Sequence, residues 1–150
     1  MLVIGDPAPD FTLHSDTGET IALSALKGKK VILYFYPKDN TSGCTKQACD
    51  VRDNIETIIA RDAVVIGISK DSLKSHAKFR DNHQLNFPLL SDETGQVCGE
   101  YGTWVEKSMY GRKYMGIDRA TFIIDEQGKI TYIWRKVKVP GHLAEVIGKL

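Results

Sequence analysis

The chain has little of what marks a specialised surface or a cross-linked scaffold. No apolar run is long enough to span a bilayer, so no membrane helix is expected. Met1-Leu-Val-Ile-Gly-Asp-Pro7 has no basic segment followed by an apolar one, so no signal peptide is expected either. Twenty Lys and Arg against nineteen Asp and Glu leave a net charge of +1, which offers no footprint for nucleic acid or an acidic membrane surface. Three cysteines are an odd number and too few for a disulfide framework in 150 residues. The setting expected from these absences is cytoplasmic, with thiols reduced at rest and any disulfide transient. No Cys-x-x-Cys is present, and Cys44 and Cys49 lack a second ligand pair, which makes a weak zinc case. His14, His76, His83 and His142 are scattered without ligand spacing and are expected on the surface. There is no repeat, low-complexity tract or linker, so residues 1–150 read as a single domain.

What is present is an α/β pattern. Phe11-Thr-Leu13 and Thr20-Ile-Ala-Leu23 flank the turn signal Asp16-Thr-Gly18 and predict an N-terminal hairpin. Val31–Tyr36 and Ala63–Ile68 are apolar throughout, as central strands covered on both faces would be. Between them Ala48, Val51, Ile55, Ile58 and Ile59 form one helical stripe, running to about Ala60. A second helix is expected from Ser72 to about Asn82, capped by Asp71 or Ser72. A short strand follows at Phe87–Leu90, then one or two helical turns between Thr94 and Tyr101. Gly102–Gly116 has no clear period and reads as a long loop, with Trp104 covering the core and Tyr110 and Tyr114 exposed. Arg119–Asp125 and Lys129–Trp134 pair around Glu126-Gln-Gly128, and Leu143, Val146, Ile147 and Leu150 mark a last helix. The order fits a thioredoxin-like fold: a central mixed sheet flanked by helices.

The stretch that carries chemistry is Pro37–Cys49. It follows the first central strand and opens a helix, so Cys44 falls in a first turn, where free N–H groups and the helix dipole stabilise an anion. For a cysteine that anion is the thiolate, the form that attacks. Thr41, three residues earlier, brings a hydroxyl able to bond a thiolate or a bound oxygen. Gly43 leaves room beside the sulfur, and Pro37 stiffens the loop. Lys38 and Lys46 read as solvated, so Arg119 is the candidate cation, if sheet order brings it to Cys44. Cys49 lies off the apolar stripe, beside Arg52, Asp53 and Glu56. Cys98, before Gly99 and without a partner in sequence, reads as a small, partly buried structural residue.

Pro37-x-x-x-Thr41-x-x-Cys44 resembles the peroxiredoxin signature, and the Cys44/Cys49 pair resembles the Q-type peroxiredoxins, or bacterioferritin comigratory proteins. Further similarity lies in Gly5-Asp-x-Ala-Pro-x-Phe11, Tyr34-Phe-Tyr-Pro-Lys38, Gly67-Ile-Ser69, Leu90-Ser-Asp92, Trp104-x-Glu-Lys-Ser108 and Arg119 before Thr121-Phe-Ile-Ile-Asp125. Ser42 departs from it, standing where the family usually shows proline.

The resemblance implies a thiol peroxidase acting on hydrogen peroxide and organic hydroperoxides, with no metal or organic cofactor required. Cys44 would be the peroxidatic cysteine, Thr41 and Arg119 would hold the peroxide oxygens, and Cys49 would resolve the sulfenic acid as a disulfide. Thioredoxin or a glutaredoxin-type donor would then reduce it, and a monomer is expected. On an intact helix, residues five apart have Cα atoms about 8–9 Å from each other, beyond the ~7 Å a disulfide bridges. The first turns must therefore unwind in each cycle. Two other functions fit a reactive cysteine: a thioredoxin-type oxidoreductase, disfavoured by the lack of Cys-x-x-Cys, and a redox sensor that reacts once instead of turning over.

Overall fold

The computed structural model describes Met1–Leu150. β1 (Thr12–His14) and β2 (Thr20–Ala22) form the N-terminal hairpin, followed by a 3-10 turn over Leu23–Leu26. β3 (Lys30–Phe35) leads through the Pro37–Thr41 loop into α1 (Ser42–Asp53) and α2 (Ile55–Ala60). Then come β4 (Ala63–Ser69), α3 (Leu73–His83), β5 (Leu89–Ser91) and α4 (Gln96–Glu100). β6 (Trp104–Met109) and β7 (Arg112–Ile117) form a second hairpin, and β8 (Ala120–Ile124), β9 (Ile130–Arg135) and α5 (His142–Ile147) complete the chain.

The main sheet has the order β5-β4-β3-β8-β9. β3 pairs parallel with β4 and β4 with β5, while β8 and β9 join antiparallel. This is the mixed sheet expected, and β3 lies at its centre because five of its six residues are apolar and buried. Alternate β3 side chains serve opposite faces. Val31, Leu33 and Phe35 pack with Leu90, Cys98, Tyr101 and Phe122. Ile32 and Tyr34, with Tyr36 just beyond the strand, pack with Cys44, Ala48, Val51, Phe79 and Val146 on the other face. Each such large side chain contributes about 1.5–3 kcal/mol on burial, before conformational entropy is counted.

Three expectations need correction. The helix after Cys44 does not run unbroken to Ala60. It breaks at Asn54, which leaves helical geometry (φ −118°, ψ 12°) and turns its side-chain amide back onto the Asp50 carbonyl at 2.8 Å. Asn favours such local bonds over helix continuation. Gly102–Gly116 is mostly strand, not loop: Trp104 to Met109 pair with Ile117 to Arg112 around a Tyr110-Gly111 turn in which both residues have positive φ. Positive φ at two central turn residues suits the twist of a hairpin. An exposed two-stranded ribbon need not alternate apolar and polar residues, so period gave no warning. Finally, His76 is not a surface residue; it is fully buried. Trp104 does cover the core, with Lys70 Nζ 4.1 Å from its ring, and Tyr110 and Tyr114 are exposed as expected.

Candidate active site

Thr41 is the N-cap of α1, in extended geometry, so Ser42, Gly43 and Cys44 are its first three helical residues. Their backbone N–H groups belong to the four that a helix start leaves without intrahelical partners. Cys44 is 2% exposed and faces inward with Gln47, Ala48 and Val51, whereas Cys49 lies at the half-buried side of the helix. The apolar stripe thus separates the two cysteines as their spacing predicts.

Arg119 reaches the site from the residue before β8. Because β8 runs antiparallel to β3, with Ala120 opposite Phe35, its first residue lies at the end of β3 from which the active-site loop departs. Its Nη2 donates to Cys44 Sγ at 3.4 Å, and its Nη1 donates to Gln47 Oε1 at 2.6 Å. A Cβ on Gly43 would stand 3.2 Å from Arg119 Nη2, so Gly43 gives the guanidinium its room. Gln47 is a site residue that sequence reasoning did not single out. Its signal was available: a polar residue one turn after Cys44, on the buried face.

Thr41 Oγ1 donates to the Lys38 carbonyl at 2.8 Å, which closes the loop and leaves the hydroxyl lone pairs to accept. Tyr34 packs in the same cluster as Cys44. Burial, then the neighbouring Cys44 charge, pushes its pKa up, so it stays a neutral phenol. Cys98 belongs to the cluster on the opposite face of the sheet. Burial first, then a hydrogen bond and the charge of Asp92, push its thiol pKa well up and keep it protonated. A helix start, an adjacent guanidinium and a glycine that lets it approach make a site for an attacking thiolate with donors above it.

Residues 4–133 match the model of the AhpC/TSA family. The chain belongs to that family. Within it, the chain is 49% identical to the peroxiredoxin Bcp of Bacillus subtilis over 98% of this chain and 94% of the relative. Among solved structures, a Xylella fastidiosa PrxQ superposes with a TM-score of 0.94 at 35% identity, covering 99% of this chain and 95% of that one. The bacterioferritin comigratory protein of Xanthomonas campestris gives 0.88 at 36% identity, covering 93% and 88%. The likeness is thus to Q-type, or Bcp, peroxiredoxins, and the thioredoxin-like fold expected from sequence holds. This peroxiredoxin is a thiol peroxidase that takes peroxides as substrates and a thiol as reductant. No helix is long and apolar enough to cross a membrane.

Proposed function

We propose that Cys44 is the peroxidatic nucleophile and Cys49 the resolving one. The observation that carries this is the Arg119 guanidinium 3.4 Å from Cys44 Sγ at the first turn of α1. The Cys44 thiolate attacks one peroxide oxygen and the O–O bond breaks. The other oxygen leaves with a proton as water or an alcohol, and Cys44 becomes a sulfenic acid. Thr41, Arg119 and the free N–H groups of α1 hold the two oxygens and stabilise the charge that develops on the leaving one. Pro37 and Gly43 support that geometry.

The Cys49 thiol then displaces hydroxide from the sulfenic sulfur, giving water and a Cys44–Cys49 disulfide. Both residues lie within α1, so its first turns unwind before this step. Thioredoxin or a glutaredoxin-type donor supplies the two electrons that restore the thiols. Hydrogen peroxide and organic hydroperoxides are both substrates in this reading; the Xanthomonas campestris relative is described by its alkyl peroxide reduction. We read the protein as one domain acting as a monomer in the cytoplasm, where its three free thiols would stay reduced.

The test is peroxide consumption coupled to thioredoxin, thioredoxin reductase and NADPH. Wild type should turn over, Cys44→Ser should be inert, and Cys49→Ser should stop after one equivalent. A Cys49→Ser enzyme that cycles at the wild-type rate would remove Cys49 from the mechanism. A folded Cys44→Ser enzyme that still consumes peroxide would overturn the assignment of the nucleophile.

A further inference from the structure

A buried polar network lies behind the active-site loop, and the chemistry above makes no use of it. Asp39 is 5% exposed and sits two residues before the N-cap of α1. Its Oδ1 accepts from the Tyr36 hydroxyl at 2.6 Å. Its Oδ2 accepts from Ser75 Oγ at 2.8 Å and lies 2.7 Å from Nδ1 of the fully buried His76. Its backbone N–H donates to Asp71 Oδ2 at 2.9 Å. Asn82, also on α3, donates to the Asn40 side chain at 3.2 Å. The loop that aims the first turn of α1 is therefore fastened to α3 mainly through one carboxylate.

The hydrogen bonds fix where the protons must be. His76 Nε2 lies 2.9 Å from the Leu90 carbonyl, which can only accept, so Nε2 carries a proton. Nδ1 then meets a carboxylate oxygen at 2.7 Å, and two lone pairs would repel at that distance. A second proton must lie between them. The contact is either imidazolium against carboxylate or neutral imidazole against carboxylic acid. Three groups that can titrate face His76: Asp39 from the loop, Tyr36 from the end of β3 and Asp71 from the β4–α3 connection. Asp39, Asp71 and His76 stand close enough to suggest a metal cage, but their facing atoms already have hydrogen-bond partners within the network.

A buried ion pair adds little net stability, although losing one partner costs much. A role in geometry explains its place better. We infer that His76 is a positioning residue for the peroxide step: through the proton it shares with Asp39 it holds the Pro37–Thr41 loop, and hence the donors around Cys44, in the reactive arrangement. This rests on Cys44 being the atom that meets peroxide. Burial pulls the His76 pKa down, but the hydrogen bond and charge of Asp39, helped by the Leu90 carbonyl and Asp71, outweigh it, and the net direction is up from 6.5. With that sign, the clasp is complete below the ordinary imidazole value and opens as pH climbs through the higher folded one.

The experiment is the second-order rate constant for oxidation of the reduced protein by hydrogen peroxide, followed by rapid quench, thiol alkylation and mass mapping. It runs from pH about 6 to about 10, with circular dichroism at each point. The wild-type rate should decline on the alkaline side while the fold persists. Asp39→Asn replaces the shared proton with a permanent amide proton that a neutral His76 Nδ1 can accept, so its profile should lose that decline. His76→Leu should be slower by about tenfold or more at neutral pH, because small misplacements of reacting groups carry penalties of that size. If wild type shows no alkaline decline, or Asp39→Asn keeps it, the inference fails. A folded His76→Leu at the wild-type rate also overturns it; should that variant not fold, the two remaining profiles decide. If the mapped oxidation falls on a cysteine other than Cys44, the function reading fails instead and takes this inference with it.

Discussion

Cys44 and Cys98 are hidden almost equally, at 2% and 0% exposure, and lie on opposite faces of one sheet. Burial alone would make both inert, because removing water penalises the thiolate. The difference is the sign of what surrounds each sulfur. Cys44 has the positive end of α1 and the Arg119 guanidinium. Cys98 has the Asp92 carboxylate, whose Oδ2 accepts the Cys98 N–H at 2.8 Å and whose charge opposes a second anion beside it. On the proposed assignment, the same residue type serves as a nucleophile on one face and as packing on the other.

Arg119 is where that contrast breaks most severely. Arg119→Leu leaves Cys44 buried without its cation, so its surroundings approach those of Cys98. The rate of Cys44 oxidation by peroxide should fall about 10²–10³-fold, the usual cost of removing one preorganised donor from a charge-developing site. Arg119→Lys keeps the charge but loses the planar fork that joins Cys44 and Gln47, so it should recover only part of the loss. Stopped-flow oxidation of each reduced variant reads the effect. An Arg119→Leu rate within a few-fold of wild type would mean that the helix start alone activates Cys44.

The inert side gives the converse prediction. Cys98→Ala should leave peroxide turnover within about twofold of wild type and lower unfolding stability by about 1–2 kcal/mol, the scale of a small core deletion. Coupled turnover and a denaturant midpoint measure both. Turnover that stops after one equivalent would instead make Cys98 the resolving thiol, and the sheet would have to open for the two cysteines to meet.

The sequence carried much of this, unevenly. β3 and β4 were legible because strands buried on both faces are apolar at every position. Ser72 was legible as a cap, and its Oγ does accept the Ser75 N–H at 3.1 Å. The place of Cys44 in the first turn of a helix was legible because Pro37 ends the strand before it and an apolar stripe marks the helix after it. Arg119 was only a candidate: what brings it to the sulfur is the antiparallel register of β8 on β3, a long-range pairing no local pattern encodes. His76 was misread for a related reason. A histidine is taken as exposed unless its partners are known, and here they come from the active-site loop, the end of β3 and β5. The break at Asn54 shows the reverse fault, since apolar spacing continues across it while the backbone does not.

The subtlest difference between the two cysteines is movement. In the proposed cycle Cys98 can stay where it is, whereas Cys44 must leave its helical turn to reach Cys49. Ser42, the exposed first residue of α1, sits where proline is well tolerated, because its N–H has no intrahelical partner. Thr41 before it already has φ −87° and ψ 157°, the extended geometry a following proline requires. Ser42→Pro should therefore fit without strain and stabilise the fold by about 0.4–1 kcal/mol through the unfolded chain. If that stability is lost when the turn opens, disulfide formation after oxidation should slow by about two- to fivefold. Thermal midpoints and quenched-flow measurement of the disulfide read the two halves. A raised midpoint with an unslowed disulfide would place the start of unwinding after Ser42, inside the turn that carries Cys44 itself.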